Sequence, residues 1–204
     1  YDYHLQRFLL ERFPHGTGFP PCPAPPLPGG LPRADVQAFS IDDATTTEID
    51  DAFSLQTLPG VGWRVGIHIA APALGIAPAS PLDDIARDRL STVYMPGAKI
   101  TMLPDAVVDR FTLSSGRTSP AVSLYLTVTP DFEITAHESR LENVPVVANL
   151  RHHDIEPLFN EQTIAVGLPE FAFHAELMTL WQLANACEGR RGKPSAMAGN
   201  HDYN

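Results

Sequence analysis

A run of prolines near the start of the chain sets the first limit on its fold. Half of the residues from Phe19 to Pro32 are proline, and two glycines lie near the end of this run. Proline lacks a backbone donor and has a fixed φ, so it interrupts helices and the central strands of sheets. We therefore predict a semi-rigid linker over residues 19–34, followed by the main domain.

The residues before this linker have the pattern of a short helix. Apolar side chains share one helical face at Leu5, Phe8, Leu9 and Phe13. Residues 1–18 are therefore predicted to be the helical tail of an upstream domain. Because the chain starts at Tyr1 without a signal pattern and ends abruptly at Asn204, we expect it to be a fragment of a longer protein.

Residues 35–204 mix strand patterns with helix patterns. Alternating apolar residues predict a strand at Val36–Ile41 and two hairpins, which join Ala52–Leu58 to Trp63–Ala70 and Val122–Val128 to Phe132–Ala136. Ser80-Pro81-Leu82-Asp83 has the residues of a helix start, and a second helix is predicted from Glu170 to Glu188. The predicted fold class is α+β, with β-hairpins and a mixed sheet packed by helices.

The composition limits the partners. No apolar run approaches the roughly 20 residues that cross a bilayer, so no membrane partner is expected. Cys22 and Cys187 are the two cysteines and supply neither a disulfide framework nor a zinc site, which favours a cytoplasmic location. The net charge of −10 argues against nucleic-acid binding over the whole surface, because phosphates attract clustered Lys and Arg.

An acidic segment follows the first predicted strand. Between Ile41 and Ala52 the chain carries Asp42, Glu48, Asp50 and Asp51, separated by small hydroxylated residues. If the segment curls back, the four carboxylates converge, and a hard cation such as Mg²⁺ then offsets their repulsion. Two such ions about 4 Å apart would serve an in-line phosphoryl displacement. Taken alone, the same composition is also typical of a solvated loop or a helix cap.

The order of several segments along the chain favours the metal site over the solvated loop or helix cap. The chain resembles the ribonuclease II (RNB) family from about Ala38 to Val144, and more loosely to its end. The segments that carry the resemblance are Phe39-Ser40-Ile41-Asp42, Glu48-Ile49-Asp50-Asp51-Ala52-Phe53-Ser54, Val65-Gly66-Ile67-His68-Ile69-Ala70, Ser80-Pro81-Leu82-Asp83, Ala86-Arg87-Asp88-Arg89, Val93-Tyr94-Met95-Pro96 and Ile100-Thr101-Met102-Leu103-Pro104. The predicted domain is accordingly the N-terminal part of an RNB catalytic domain, incomplete at its C-terminal side.

The resemblance implies a function and a set of site residues. It implies a processive, hydrolytic 3′-to-5′ exoribonuclease that uses Mg²⁺, with Mn²⁺ as an alternative, and releases nucleoside 5′-monophosphates from single-stranded RNA. The implied metal ligands are Asp42, Glu48, Asp50 and Asp51. Asp50 is also the acid most critical for the chemical step, where it orients the attacking water.

The implied RNA contacts lie further along the chain. Tyr94 matches an aromatic that packs against a nucleotide, a contact that tolerates any base. The predicted phosphate contacts in the same region are Arg87, Arg89, Lys99 and Arg110, each of which is also an ordinary surface charge. The resemblance also implies a partner: the remaining C-terminal part of the same polypeptide, or a second chain that carries it, without which this segment is expected to bind RNA poorly.

Two departures from the family pattern keep an alternative open. Glu48 stands where the family usually has Asp, and Ala71 stands where it usually has an acid. Together with the acidic surface they motivate a catalytically inactive RNB-like module that binds RNA or a protein. The retained Asp50-Asp51 pair argues against that module.

Three other signals are given no role in the chemistry. Gly199-Asn200-His201-Asp202 matches one block of the calcineurin-like metallophosphoesterases, but the Gly-Asp-x-x-Asp block that accompanies it in that family is missing from the sequence. His152-His153-Asp154 is expected to be a solvated helix start, because adjacent histidines on a helix point about 100° apart. His68 is expected to be a hydrogen-bonded histidine of a sheet.

Overall fold

The structure is a computed structural model, and it describes residues 2–14, 16–95, 98–167 and 169–191. Its strands are β1 (Ala38–Asp42), β2 (Asp51–Leu58), β3 (Gly62–Ala70), β4 (Val93–Met95), β5 (Ala98–Ile100), β6 (Thr118–Val128) and β7 (Ile134–Arg151). Its helices are α1 (Asp2–Arg12), α2 (Pro81–Arg89), α3 (Asp105–Phe111), α4 (His152–Ile155), α5 (Glu161–Val166) and α6 (His174–Arg190), with a 3₁₀ turn at Pro72–Gly75. The predicted α+β class is confirmed.

The chain divides into two compact units. The first, the helical unit, comprises Tyr1–Gly29 and Ala71–Thr112, and the second, the barrel unit, comprises Gly30–Ala70 and Leu113–Asn204. Among the described residues, no helix is long and apolar enough to cross a membrane.

The barrel unit contains a closed sheet of five strands in the order β1-β2-β3-β6-β7. Neighbours pair antiparallel except β1 and β7, which are parallel and close the barrel. Both predicted hairpins are present as β2–β3 and β6–β7. The second one is far longer than its sequence pattern indicated, because β7 continues to Arg151 and pairs with β1.

The two faces of the barrel differ in chemistry. The interior holds small or polar side chains, among them Ala52, Ser54, His68, Ala121 and Ser123, each at most 1% exposed. Such residues fill a narrow five-stranded barrel without strain. The outer face instead carries large apolar side chains, and α6 packs against it through the cluster Val65, Val128, Leu183, Leu55, Trp63, Leu126, Phe132, Leu180 and Cys187.

The helical unit has its own small core. Leu82, Val107 and Phe111 are buried there, with Cys22, Ile76 and Leu103 packed against them. Helix α2 begins as its sequence predicts, since the Ser80 side chain accepts a hydrogen bond from the backbone N of Asp83 at 3.3 Å. The residues predicted as a linker therefore contribute to this core through Cys22, while the division into tail, linker and catalytic domain stays a prediction.

Candidate functional site

The predicted metal ligands lie where β1 ends and β2 begins. Asp42 is the last residue of β1 and Asp51 is the first of β2. Because Phe39 pairs with Phe53 in this antiparallel ladder, the two acids come to the same end of the barrel. Partial burial of its carboxyl, together with the negative charge of Asp42, raises the pKa of Asp51.

The segment between these two acids is held at its backbone. Ile49 is 4% exposed and belongs to the barrel core, so the neighbouring Glu48 and Asp50 are anchored on either side of a buried residue. The carbonyl oxygen of Ile49 accepts from the N of Leu113 at 2.9 Å, and that of Asp50 accepts from the N of Ala70 at 2.8 Å. The position of Glu48 and Asp50 is therefore set by the backbone contacts and the buried Ile49 rather than by contacts of the acidic side chains.

The loop between β1 and this anchored segment is fastened by the end of β7. The Arg151 guanidinium donates to the carbonyl oxygen of Asp43 at 2.7 Å and to that of Thr46 at 3.3 Å. No local sequence pattern indicates this contact, because Arg151 is 105 positions or more from both residues. Sequence reasoning also missed Ser40, which donates to Asp42, and Asn149, which donates to Ser40.

The arrangement can be tested against the needs of a divalent cation. Among the described residues, no three His, Cys, Asp or Glu side chains lie close enough to share one ion, so the four predicted ligands do not form one cage. Asp42 and Asp51, both hard oxygen donors, are near enough for the charge of Asp42 to raise the pKa of Asp51. Mg²⁺ is commonly held by one or two carboxylates, with waters and substrate phosphates completing its coordination. The pair fits that mode, and the ligand role of all four acids stays a prediction.

The predicted RNA contacts belong to the helical unit. Tyr94 is 72% exposed on β4 and faces Lys99 across the β4–β5 ladder. Arg87 is exposed and its Nε lies 3.3 Å from the Asp83 carboxylate. Both residues can meet solvent, and their contacts with RNA stay predictions.

Arg89 has a different environment from these two residues. Its guanidinium donates to the carbonyl oxygens of Thr101, Thr17 and Gly18 at 2.7, 2.8 and 3.1 Å. The guanidinium carbon also lies 3.8 Å from the centre of the Phe19 ring. These contacts hold the segment before the prolines to α2. A phosphate contact by Arg89 would therefore have to use guanidinium N–H groups that do not bond these carbonyl oxygens.

A buried polar network fills the barrel behind the acidic segment. His68 is fully buried on β3, with Nδ1 2.8 Å from Ser123 Oγ and Nε2 2.9 Å from Ser54 Oγ. Close by, the Tyr125 hydroxyl donates to the Glu142 carboxylate at 2.5 Å. Burial, followed by that hydrogen bond, raises the pKa of Tyr125 to about 12. His68 is thus a hydrogen-bonded interior histidine, as its sequence pattern predicts.

The remaining sequence signals stay outside this site. His152 and His153 lie at the start of α4, where His153 Nε2 is 3.2 Å from the exposed Asp154 carboxylate. The metallophosphoesterase-like block Gly199-Asn200-His201-Asp202 falls outside the described residues.

The fold and the acids together define an α+β barrel domain with a carboxylate pair suited to a hard cation. The chain belongs to the RNB family, since the model described as "RNB domain" matches residues 33–201. This confirms the resemblance seen in the sequence.

Relatives and solved structures extend the comparison. Exoribonuclease 2 of Sodalis glossinidius is 37% identical over 119 residues, covering 53% of this chain and 18% of that protein. The Arabidopsis thaliana protein named "Inactive exonuclease DIS3L2" is 37% identical over 110 residues, covering 49% of this chain and 10% of that protein. Mycoplasma genitalium RNase R, solved with ribose-methylated single-stranded RNA, has a similar fold, with a TM-score of 0.67 at 17% identity, covering 79% of this chain and 25% of that one. The chain thus spans less than one fifth of either relative's length.

Proposed function

We propose that this chain forms part of a hydrolytic, processive 3′-to-5′ exoribonuclease that acts on single-stranded RNA and releases nucleoside 5′-monophosphates. The observation that carries the proposal is the Asp42–Asp51 pair at one end of the barrel of an RNB family member. The RNase R structure with single-stranded RNA, and the exoribonuclease among the relatives, support the choice of substrate and reaction.

The acids have distinct roles in this proposal. Asp42 and Asp51 would hold Mg²⁺ or Mn²⁺, with Glu48 and Asp50 as further ligands. When bound, the cation offsets the charge that develops on the phosphoryl group and makes water a stronger nucleophile. Asp50, which is exposed beside the buried Ile49, accepts a hydrogen bond from the attacking water and orients it toward the scissile phosphate.

The rest of the polypeptide has a part in binding. This chain alone carries a net charge of −10, and a phosphate backbone requires cationic neutralisation. We propose that the remaining C-terminal part of the protein, covalently attached or as a second chain, supplies most of the RNA-binding surface. Residues 1–204 alone are then expected to degrade RNA poorly, and robust degradation by them would contradict this point.

Tyr94 is the residue of this chain proposed to stack on a base. Replacing it by Ala should weaken binding of single-stranded RNA by about 5- to 150-fold, because one base–aromatic stack is worth about 1–3 kcal/mol. The measurement is fluorescence anisotropy on the full-length protein with EDTA present, so that the RNA stays intact.

Tyr3 supplies the matched control, since it too is 72% exposed. Tyr3→Ala should leave affinity unchanged, and Tyr94→Phe should preserve it. Equal affinities of the Tyr94→Ala and Tyr3→Ala proteins for RNA would show that Tyr94 does not contribute to RNA binding.

A second function has specific support. The inactive relative is as similar to this chain as the exoribonuclease is, Glu48 is longer than the expected Asp, and no three ligand-type side chains of the described residues share a site. A non-catalytic RNB module would bind RNA through the surface proposed above for the exoribonuclease, without hydrolysing the RNA.

One experiment separates these two functions. The full-length protein is incubated with 5′-labelled single-stranded RNA and Mg²⁺, beside a sample that contains EDTA. An exoribonuclease produces a ladder that shortens from the 3′ end, releases 5′-monophosphates and stops in EDTA. Intact RNA in both samples, with RNA still bound, would establish the non-catalytic module instead.

A further inference from the structure

The end of β7 contacts the end of β1 through two polar side chains. Ser40 and Asn149 lie opposite each other where these strands pair in parallel. Asn149 Nδ2 donates to Ser40 Oγ at 2.9 Å, and the Ser40 hydroxyl in turn donates to a carboxylate oxygen of Asp42. A chain of hydrogen bonds therefore runs from β7 to a predicted metal ligand.

The direction of this chain is fixed by what surrounds the Asn149 amide. Its Oδ1 accepts from the backbone N of Ser115 at 2.7 Å, and its Nδ2 also donates to the carbonyl oxygen of Leu113 at 2.9 Å. An inverted amide would place donor against donor and acceptor against acceptor. Because Ser40 Oγ then accepts from Asn149, its single hydroxyl proton is directed to Asp42.

Burial shields these hydrogen bonds from competition by water. Ser40 is 1% exposed, and Asn149 is partly buried. Water competes weakly for hydrogen bonds in such places, and each bond polarises the next. The Asp42 carboxylate is thereby restricted to orientations in which one oxygen faces Ser40.

The same amide reaches the second half of the acidic segment. Leu113, which accepts from Asn149 through its carbonyl oxygen, donates through its own N to the carbonyl oxygen of Ile49 at 2.9 Å. Ile49 lies between Glu48 and Asp50. One side chain on β7 thus connects both the strand that ends in Asp42 and the segment that leads to Asp51.

We propose that Asn149 is a positioning residue, acting through Ser40 and Leu113 to hold Asp42 and the Glu48–Asp51 segment in the arrangement that binds a divalent cation. The proposal rests on the proposed function, because it assumes that these acids bind the metal. Ligands oriented by partners of this kind bind metal more tightly, and loss of such a partner commonly costs about 10- to 100-fold in metal affinity.

The test measures Mn²⁺ binding to the full-length protein without RNA, by titration calorimetry and by electron paramagnetic resonance of the free ion. Asn149→Ala and Ser40→Ala should each raise the Kd for Mn²⁺ by about 10- to 100-fold. Both changes break the branch through Ser40, so the double variant should lose little more than Asn149→Ala alone. Full additivity would contradict action through Ser40.

A matched control is available on the same strand. Asn143 is also partly buried on β7, and its Nδ2 donates to the carbonyl oxygen of Leu31 at 3.2 Å, away from the acids. Asn143→Ala should change the Kd for Mn²⁺ by less than about twofold at a comparable loss of thermal stability. If Asn149→Ala lowers the melting temperature but leaves Mn²⁺ affinity equal to that of the control, Asn149 is merely structural and the proposal fails. Ser40→Ala keeps the Asn149 bonds to Leu113 and Ser115, so it serves if Asn149→Ala does not fold.

Asp42→Asn separates this proposal from the proposed function. If Asp42→Asn abolishes Mn²⁺ binding while Asn149→Ala and Ser40→Ala do not weaken it, the positioning role alone is wrong. If the unaltered protein binds no Mn²⁺, the metal role of the acids is wrong and the positioning role falls with it.

Discussion

Replacement of Asp50 by Asn is expected to lower the rate of RNA hydrolysis by about 1000-fold, in the range of losses seen when a group that handles a proton is removed. Asn has the size of Asp, but it lacks the negative charge that orients a water molecule and attracts a cation. The carbonyl oxygen of Asp50 would still accept from the N of Ala70. The fold and the affinity for RNA should therefore be preserved.

Asp43 is the matched control for this change. It lies in the same segment, is exposed, and contacts Arg151 through its carbonyl oxygen, so Asp43→Asn removes an equal charge without touching the proposed ligands. Single-turnover rates on 5′-labelled RNA should drop for Asp50→Asn and stay close to the original for Asp43→Asn. Equal rates in the two variants would exclude Asp50 from the chemistry, and equally reduced rates would show that the segment acts only by its overall charge.

The parts of the fold that sequence reasoning predicts are those built from neighbouring residues. The β2–β3 hairpin and α2 are each set by alternation, turn residues or caps within about twenty positions, and each appears in the structure near its predicted bounds. Helix α6 starts at His174 rather than Glu170, directly after Phe173, whose φ of 67° lies outside the helical region. The acids of the candidate site are also local in sequence, which is why their pattern was visible.

What the sequence did not reveal depends on contacts between distant residues. The second hairpin predicts a strand that returns to Ala136, whereas β7 continues to Arg151 and closes the barrel against β1. The hydrogen bond between Asn149 and Ser40 joins residues 109 positions apart. Hydrophobic periodicity, which is a local pattern, does not predict such a non-local contact. The acids themselves are brought together by the β1–β2 ladder, which places Asp42 and Asp51 at the same end of the barrel.

The barrel interior is another feature that periodicity alone could not describe. The alternation around His68 predicts its place on a strand, but not that Ser54 and Ser123 would flank it on both sides. Burial lowers the pKa of His68 to about 4, with Arg64 adding to the effect and Glu142 opposing it. Among the described residues, no buried side-chain nitrogen or oxygen lacks a hydrogen-bond partner. The interior is thus a satisfied polar network built around a neutral imidazole.

This network predicts that the barrel loses stability in mild acid. The His68 pKa is about 6.5 in the unfolded chain and about 4 in the folded one, so between these values the unfolded chain binds the extra proton. Stability should therefore fall as the pH decreases from 6.5 to 4, by about 3 kcal/mol from this residue. Hydrogen exchange of the β2, β3 and β6 amides, followed against pH in the full-length protein, measures this loss of stability.

His68→Asn should lower stability at neutral pH and flatten the acid dependence, while His137→Asn, at an exposed position of β7, should do neither. An unchanged slope in His68→Asn would assign the acid sensitivity to the carboxylates instead.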